Sequence, residues 1–407
     1  MKRTNELLHS MILVVAVLAV AGCGDAGSGG SALPPDPEFR MIEPVGPIEY
    51  EGEVLYPTCL KGTPYRFFAK RGSVNKLMIH YQGGGACWDA TTCSVPSCTP
   101  TADPGDNPND VGGFFDADNP ANPFRDWHMI MVTYCSCDIH FGDAAQSYAG
   151  GVEHRGYQNA RVVEKYARET FPDPEEILLN GTSAGAYGAF FHAPFLRRAF
   201  PRARLYAVAD AGNGVVTEKF LREDLPNWNF EAHLPSDIPG LREAFFGGEG
   251  IVGYTSIVTK AFPDIRWAHY SSAYDGGIGG QSSFYNVMLK DSIAGAVTWW
   301  EASCEFNAQM RAQVIRSAED SPSNYRYFIG TGAQHGMWFS NKVYTDTSGG
   351  VPLLVDWVSA MVDGGPGWSN VECSDCGVLP PGDPKPEPLR PPFAQAGDAV
   401  VVTCPEP

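Results

Sequence analysis

The chain has 407 residues, of which 43% are hydrophobic and 12% aromatic, so wholesale disorder is excluded. Its formal net charge is −18 with no strong basic cluster, so no nucleic-acid partner is expected. The same acidity argues against simple electrostatic capture of a polyanion.

The chain opens on Lys2 and Arg3, followed by an apolar stretch from Met11 to Ala21. That stretch is too short to span a bilayer as a mature helix and reads as an export signal over residues 1–22. It ends Val20-Ala21-Gly22-Cys23, which resembles a bacterial lipoprotein signal with Cys23 as the lipidated residue. A lipid on Cys23 would tether the protein to a membrane surface of the cell envelope; without it the protein would be secreted. Residues 23–45 read as a flexible linker, richest in Gly, Ser and Pro between Gly24 and Pro37.

Of the 11 cysteines, ten follow Cys23. An even number in an exported chain predicts disulfides, with the pairing left open. The rival is a metal site, at Cys373-Ser374-Asp375-Cys376 or at Cys135 and Cys137 near His140. No second C-x-x-C at zinc spacing and no H-E-x-x-H accompanies them, so neither a metal nor an organic cofactor is expected.

The apolar run Lys76–Tyr81 predicts a strand that opens into Gln82-Gly83-Gly84-Gly85-Ala86-Cys87-Trp88. Three glycines let successive N–H groups turn toward one point, as an oxyanion hole requires. The amides of Gly85, Ala86 and Ala184 are the candidates. Next, Glu176–Asn180 predicts a buried strand, Gly181-Thr182-Ser183-Ala184-Gly185 a tight turn, and Ala184–Phe200 a helix closed by Pro201. Strand, G-x-S-x-G and helix in that order form a nucleophile elbow with Ser183 at its tip. Gly181 and Gly185 remove Cβ atoms where strand and helix nearly touch.

Two later strands lead to an aspartate: 204–209 to Asp210, and 265–270 to Asp275. Strand order favours Asp275 as the orienting acid over Asp210. Between them, residues 215–259 interrupt the alternation of strand and helix. Insertions there overhang the crevice at the strand ends, so this segment reads as a cap that shapes substrate access. The strand 325–329 runs into Gly330-Thr331-Gly332-Ala333-Gln334-His335-Gly336, a glycine-rich and mobile-looking loop that makes His335 the candidate base. His140 and His154 are its best rivals, but both precede the serine. The tail, residues 379–407, is Pro-rich and reads as extended, with Cys404 able to pin its end. Two further patterns are set aside. Gly248–Gly253 is a formal G-x-G-x-x-G without the strand–turn–helix setting of a dinucleotide site. Asn180-Gly181-Thr182 is a formal glycosylation sequon inside the elbow.

These pieces resemble the pectin acetylesterase and Notum-like carboxylesterases, especially bacterial members. The matching residues are Gly83 to Cys87, Tyr134 to Gly142, Arg155-Gly156, Gly181 to Gly185, Asp210-Ala211-Gly212, Ser272 to Asp275, and His335. The resemblance implies an α/β-hydrolase-like fold: a doubly wound, mostly parallel sheet with helices on both faces, spanning residues 46–378. It also implies hydrolysis of carboxylic esters, typically acetyl groups on a polysaccharide such as pectin, with Ser183, Asp275 and His335 as the triad. Two departures fall near the substrate. Plant members carry Trp-Cys after the glycines, where this chain has Ala86-Cys87 and then Trp88. They also tend to have Cys beside the catalytic His, where Gln334 and Gly336 stand here. The alternatives are a lipid, short-chain or polyester esterase of the same fold, or a non-catalytic surface lipoprotein.

Overall fold

A computed structural model describes residues 35–405. The export signal, Cys23 and the Gly/Ser-rich part of the linker lie outside the described residues. The main sheet has nine strands: β1 Asp36–Ile42, β2 Phe67–Arg71, β3 Val74–Tyr81, β4 Trp127–Val132, β5 Glu176–Thr182, β6 Arg204–Asp210, β7 Arg266–Ser272, β8 Tyr325–Gly330 and β9 Val371–Glu372. Their order is β1-β2-β4-β3-β5-β6-β7-β8-β9. β1 and β4 pair antiparallel with β2, and every other neighbour is parallel. All seven residues of β5 are buried. A parallel strand covered on both faces reads as an unbroken apolar run, which is why Ile177-Leu178-Leu179 announces itself in the sequence.

Among the described residues, six α-helices of ten residues or more accompany the sheet: α1 Gly156–Thr170, α2 Ala184–Ala199, α3 Gly250–Ala261, α4 Gln281–Lys290, α5 Ser303–Asp320 and α6 Leu354–Asp363. α2 packs on β3, β5 and β6, and α5 packs on β8. α2 stops at Phe200, because Pro201 follows and disfavours helical geometry in the residue before it. Between β6 and β7 the chain forms short helical turns and α3, with no sheet strand.

Two segments differ from expectation. Residues 23–45 are not linker throughout, because Asp36–Ile42 form the edge strand β1. Phe39 turns into the core while Glu38 and Arg40 face solvent. The flanking charges and prolines mask that alternation, and its partner strand lies about 30 residues downstream. The tail is also more ordered than its prolines suggest. Phe393–Ala396 and Ala399–Val402 form a hairpin, and Phe393 is buried.

All ten cysteines after Cys23 are paired: Cys59–Cys135, Cys87–Cys93, Cys98–Cys137, Cys304–Cys404 and Cys373–Cys376. Three of these bridges gather residues 59–137 around the glycine loop. The fourth fastens the tail to α5, and the C-x-x-C closes on itself. Among the described residues, no helix is long and apolar enough to cross a membrane.

Candidate active site

Ser183 stands between β5 and α2 at φ +59° and ψ −123°. That conformation costs a non-glycine residue about 1–3 kcal/mol and persists only where its surroundings enforce it. The surroundings are visible. A Cβ on Gly181 would lie 2.0 Å from the Gly185 carbonyl oxygen, and one on Gly185 would lie 1.9 Å from the Tyr81 carbonyl oxygen. Strand, turn and helix are therefore in backbone contact, and the steric reading of both glycines holds. Gly83 lies on the same spot, since its Cβ would lie 2.6 Å from the Thr182 carbonyl oxygen and 3.0 Å from Ser183 Cβ.

Asp275 and His335 meet. The His335 Nδ1–H donates to Asp275 Oδ1 at 2.7 Å. The Asp275 side chain is fully buried, whereas that of His335 is 24% exposed, so the imidazole reaches the surface while its partner does not. Asp275 Oδ1 also accepts the Gln281 N–H at 2.9 Å. Burial works against a charged His335, but the carboxylate of Asp275 outweighs it, and Asp210 adds to the effect. The imidazole pKa is raised above its ordinary 6.5. The two loops are joined through their backbones. Ala273, Tyr274 and Gly276 donate to the carbonyls of Gly330, Gly332 and Ala333 at 2.8, 3.0 and 2.9 Å. Ala333 N–H in turn donates to Asp383 Oδ2 of the tail at 2.8 Å. The base loop is thus tied down on both sides, contrary to the mobility its glycines suggest.

Asp210 makes no hydrogen bond to His335. Its carboxylate accepts from Met337 N–H, Trp338 N–H and the Thr182 hydroxyl. Burial pushes its pKa up to about 6. The rival histidines serve the fold. His140 Nε2–H donates to the Gln82 carbonyl at 2.7 Å, and His154 Nδ1–H donates to the Ser136 carbonyl at 3.0 Å. Burial depresses both to about 4.

The glycine loop turns back on itself, with Gly84 at φ +145° and Gly85 at φ +81°. Thr99 N–H pins it by donating to the Gly84 carbonyl at 2.9 Å, and Gly85 pairs with Cys98 as an antiparallel bridge. Gly85, Ala86 and Ala184 all line the cleft that holds Ser183.

Ser183 faces two spaces. One is an apolar pocket formed by Trp88, Ile139, Val215, Val216, Phe220, Trp228, Ile251, Phe284 and Met288, with Tyr187 and Gln281 as its polar members. The other is a groove shared with His335, lined by Gly83 to Gly85, Pro96 to Thr99, Ile278, Gly279, Phe284 and Phe339. Sequence reasoning gave Ile139 no part in the site. Ile139 reaches the pocket from a loop in which Cys137, Ile139 and His140 all have positive φ, braced by the Ile139 N–H to Tyr134 hydroxyl bond of 2.9 Å. The matching run Tyr134 to Gly142 contains Ile139 but does not reveal its place in the pocket, which depends on residues far apart in sequence. Val215, Val216, Phe220, Trp228 and Ile251 line the same pocket from the segment read in the sequence as a cap.

The strand order and the elbow define an α/β-hydrolase fold. Two crystal forms of the Wnt deacylase Notum from Drosophila share it at 15% identity. The TM-scores are 0.57 and 0.56, covering 83% and 84% of this chain and 97% and 99% of those chains. Residues 55–235 match the family model described as Pectinacetylesterase. Pectin acetylesterase 7 of Arabidopsis thaliana is 32% identical, and pectin acetylesterase 11 of the same plant 29% identical, each over 163 residues. Those alignments cover 38% of this chain and 42% of each plant protein, so the match spans about two fifths of the relatives' length. Residues 55–235 are thus similar to pectin acetylesterases, and the fold as a whole is that of Notum. The family match contains Ser183 and the glycine loop, whereas Asp275 and His335 lie beyond it.

Proposed function

We propose that this protein is an exported serine carboxylesterase. Ser183 attacks the ester carbonyl, and His335 takes its proton and later passes it to the leaving alcohol. Asp275 holds the imidazole tautomer and stabilises the imidazolium. The amides of Gly85, Ala86 and Ala184 receive the oxyanion. Water then enters along the same groove and hydrolyses the acyl-enzyme. The observation that carries this reading is the strained Ser183 opening onto the same groove as a histidine hydrogen-bonded to a fully buried carboxylate.

The similarity of residues 55–235 to pectin acetylesterases supports an acetyl ester on a polysaccharide as the substrate. The cap reading of residues 215–259 is supported by Val215, Val216, Phe220, Trp228 and Ile251, which line the apolar pocket. That pocket also supports a second reading, in which the acyl group is longer and the substrate is lipid-like. Five disulfides favour export, and a lipid on Cys23 would hold the enzyme at a bacterial membrane surface.

A panel of p-nitrophenyl esters from acetate to octanoate, followed by acetate release from acetylated pectin or xylan, tests the choice. An acetyl-shaped site loses roughly 1–3 kcal/mol when overpacked, about 5- to 150-fold in kcat/KM by octanoate. A rate that rises with chain length selects the lipid-like reading and leaves the serine mechanism intact.

A further inference from the structure

The second buried aspartate, Asp210 at the end of β6, is not the acid of the triad read above, yet it is bonded to both halves of the machinery. Its backbone carbonyl accepts the Ser183 N–H at 2.8 Å. Its carboxylate accepts the Thr182 hydroxyl at 2.9 Å, Trp338 N–H at 2.9 Å, and Met337 N–H at 2.9 Å to Oδ2 and 3.1 Å to Oδ1. Thr182 and Ser183 are the elbow, and Met337 and Trp338 follow His335 and Gly336 directly. Gly336, at φ +69°, lies flush on the elbow, because a Cβ there would lie 2.5 Å from Thr182 Cγ2. We propose that Asp210 is a positioning residue that sets the separation of Ser183 and His335.

The chemistry suits that task. An ionised carboxylate is an acceptor with about four lone-pair sites, and here it collects two loop amides and a hydroxyl that would otherwise be buried without partners. No neutral side chain of that size accepts all three equally. The ionisable groups near it are His335, Asp275 beyond the imidazole, and the Tyr270 phenol. As an anion Asp210 also favours the imidazolium, so its removal lowers the pH at which the base becomes protonated.

The inference rests on the hydrolase reading, and the test separates the two. The full chain and its Asp210→Asn, Asp210→Ala, Gly336→Ala, Asp275→Asn and Ser183→Ala variants are assayed with p-nitrophenyl acetate across pH, with active sites counted by titration. In Asp210→Asn an NH2 group replaces one acceptor oxygen, and Asp210→Ala removes both. A misplacement of about 1 Å costs on the order of 10²-fold, so kcat per titrated site should fall about 10- to 100-fold, with KM changed less than about twofold. The acidic limb of kcat should move to lower pH in both Asp210 variants. Gly336→Ala pushes the same loop sterically and keeps the charge, so it should lose kcat with the limb unmoved. It serves as the test if the Asp210 variants fail to fold.

A purely structural role would lower the melting temperature and the yield of active sites while leaving kcat per site and the pH limb at wild-type values, and that result overturns the proposal. So does a loss near 10⁴-fold in Asp210→Asn with a mild Asp275→Asn, which would make Asp210 the acid. So does wild-type kcat in Gly336→Ala. Activity retained by Ser183→Ala overturns the hydrolase reading and the proposal together.

Discussion

Replacing Gly185 by alanine probes the elbow with a single methyl group. An exposed helical glycine changed to alanine gains about 0.5–1 kcal/mol, so propensity alone predicts a more stable protein. The structure predicts the reverse. The new Cβ would lie 1.9 Å from the Tyr81 carbonyl oxygen, 2.5 Å from its carbon and 2.9 Å from the Gln82 carbonyl oxygen. Ordinary contact begins at 3.4 Å, so α2 and β3 must separate by about 3.4 − 1.9 = 1.5 Å. Both contacts are backbone, which no rotamer change relieves. Overpacking of this kind costs roughly 1–3 kcal/mol or more, which exceeds the propensity gain. The displacement falls between Ser183 and the glycine loop, where about 1 Å is worth on the order of 10²-fold in rate. Gly185→Ala should therefore melt below the wild type and lose about 10²-fold or more in kcat with p-nitrophenyl acetate. Thermal denaturation and steady-state kinetics measure both. A variant as stable and as fast as the wild type would refute the close-contact account of the elbow.

Asp275→Asn should cost on the order of 10⁴-fold in kcat, about 5.4 kcal/mol, because an amide can hold His335 in the wrong tautomer and leaves the imidazolium unsupported. Steady-state kinetics on the folded variant checks it, and a loss under tenfold would remove Asp275 from the role. The pH profile follows from the raised pKa of His335. The base works when neutral, so kcat/KM should fall as pH drops, with its midpoint above 6.5. A midpoint at or below the free-imidazole value would contradict the influence of Asp275 and Asp210.

The elbow was legible in the sequence because its chemistry is local. Seven residues from Leu179 to Gly185 contain the strand end, the turn and the helix start, and the two glycines are dictated by contacts within a few ångströms. Strand order favoured Asp275 over Asp210, and Asp275 is the one that hydrogen-bonds His335; its part as the acid belongs to the proposal. What stayed hidden is non-local. β1 pairs with a strand about 30 residues away, so Glu38 and Arg40 read as linker while Phe39 is core. The glycines before His335 suggested mobility, whereas three backbone bonds from residues 273–276 and one to Asp383 fix that loop. The apolar pocket combines residues from five separate stretches, and no pattern along the chain links Ile139 to Trp228 or Met288.

The central claim is that Ser183 is the nucleophile. The most direct measurement is the intact mass of the protein after reaction with diethyl p-nitrophenyl phosphate, followed by peptide mapping. The account predicts one diethylphosphoryl adduct, on Ser183, that forms in step with loss of esterase activity and does not form in Ser183→Ala. An adduct on another residue, or a folded Ser183→Ala that still hydrolyses p-nitrophenyl acetate at more than about one thousandth of the wild-type rate, would contradict it.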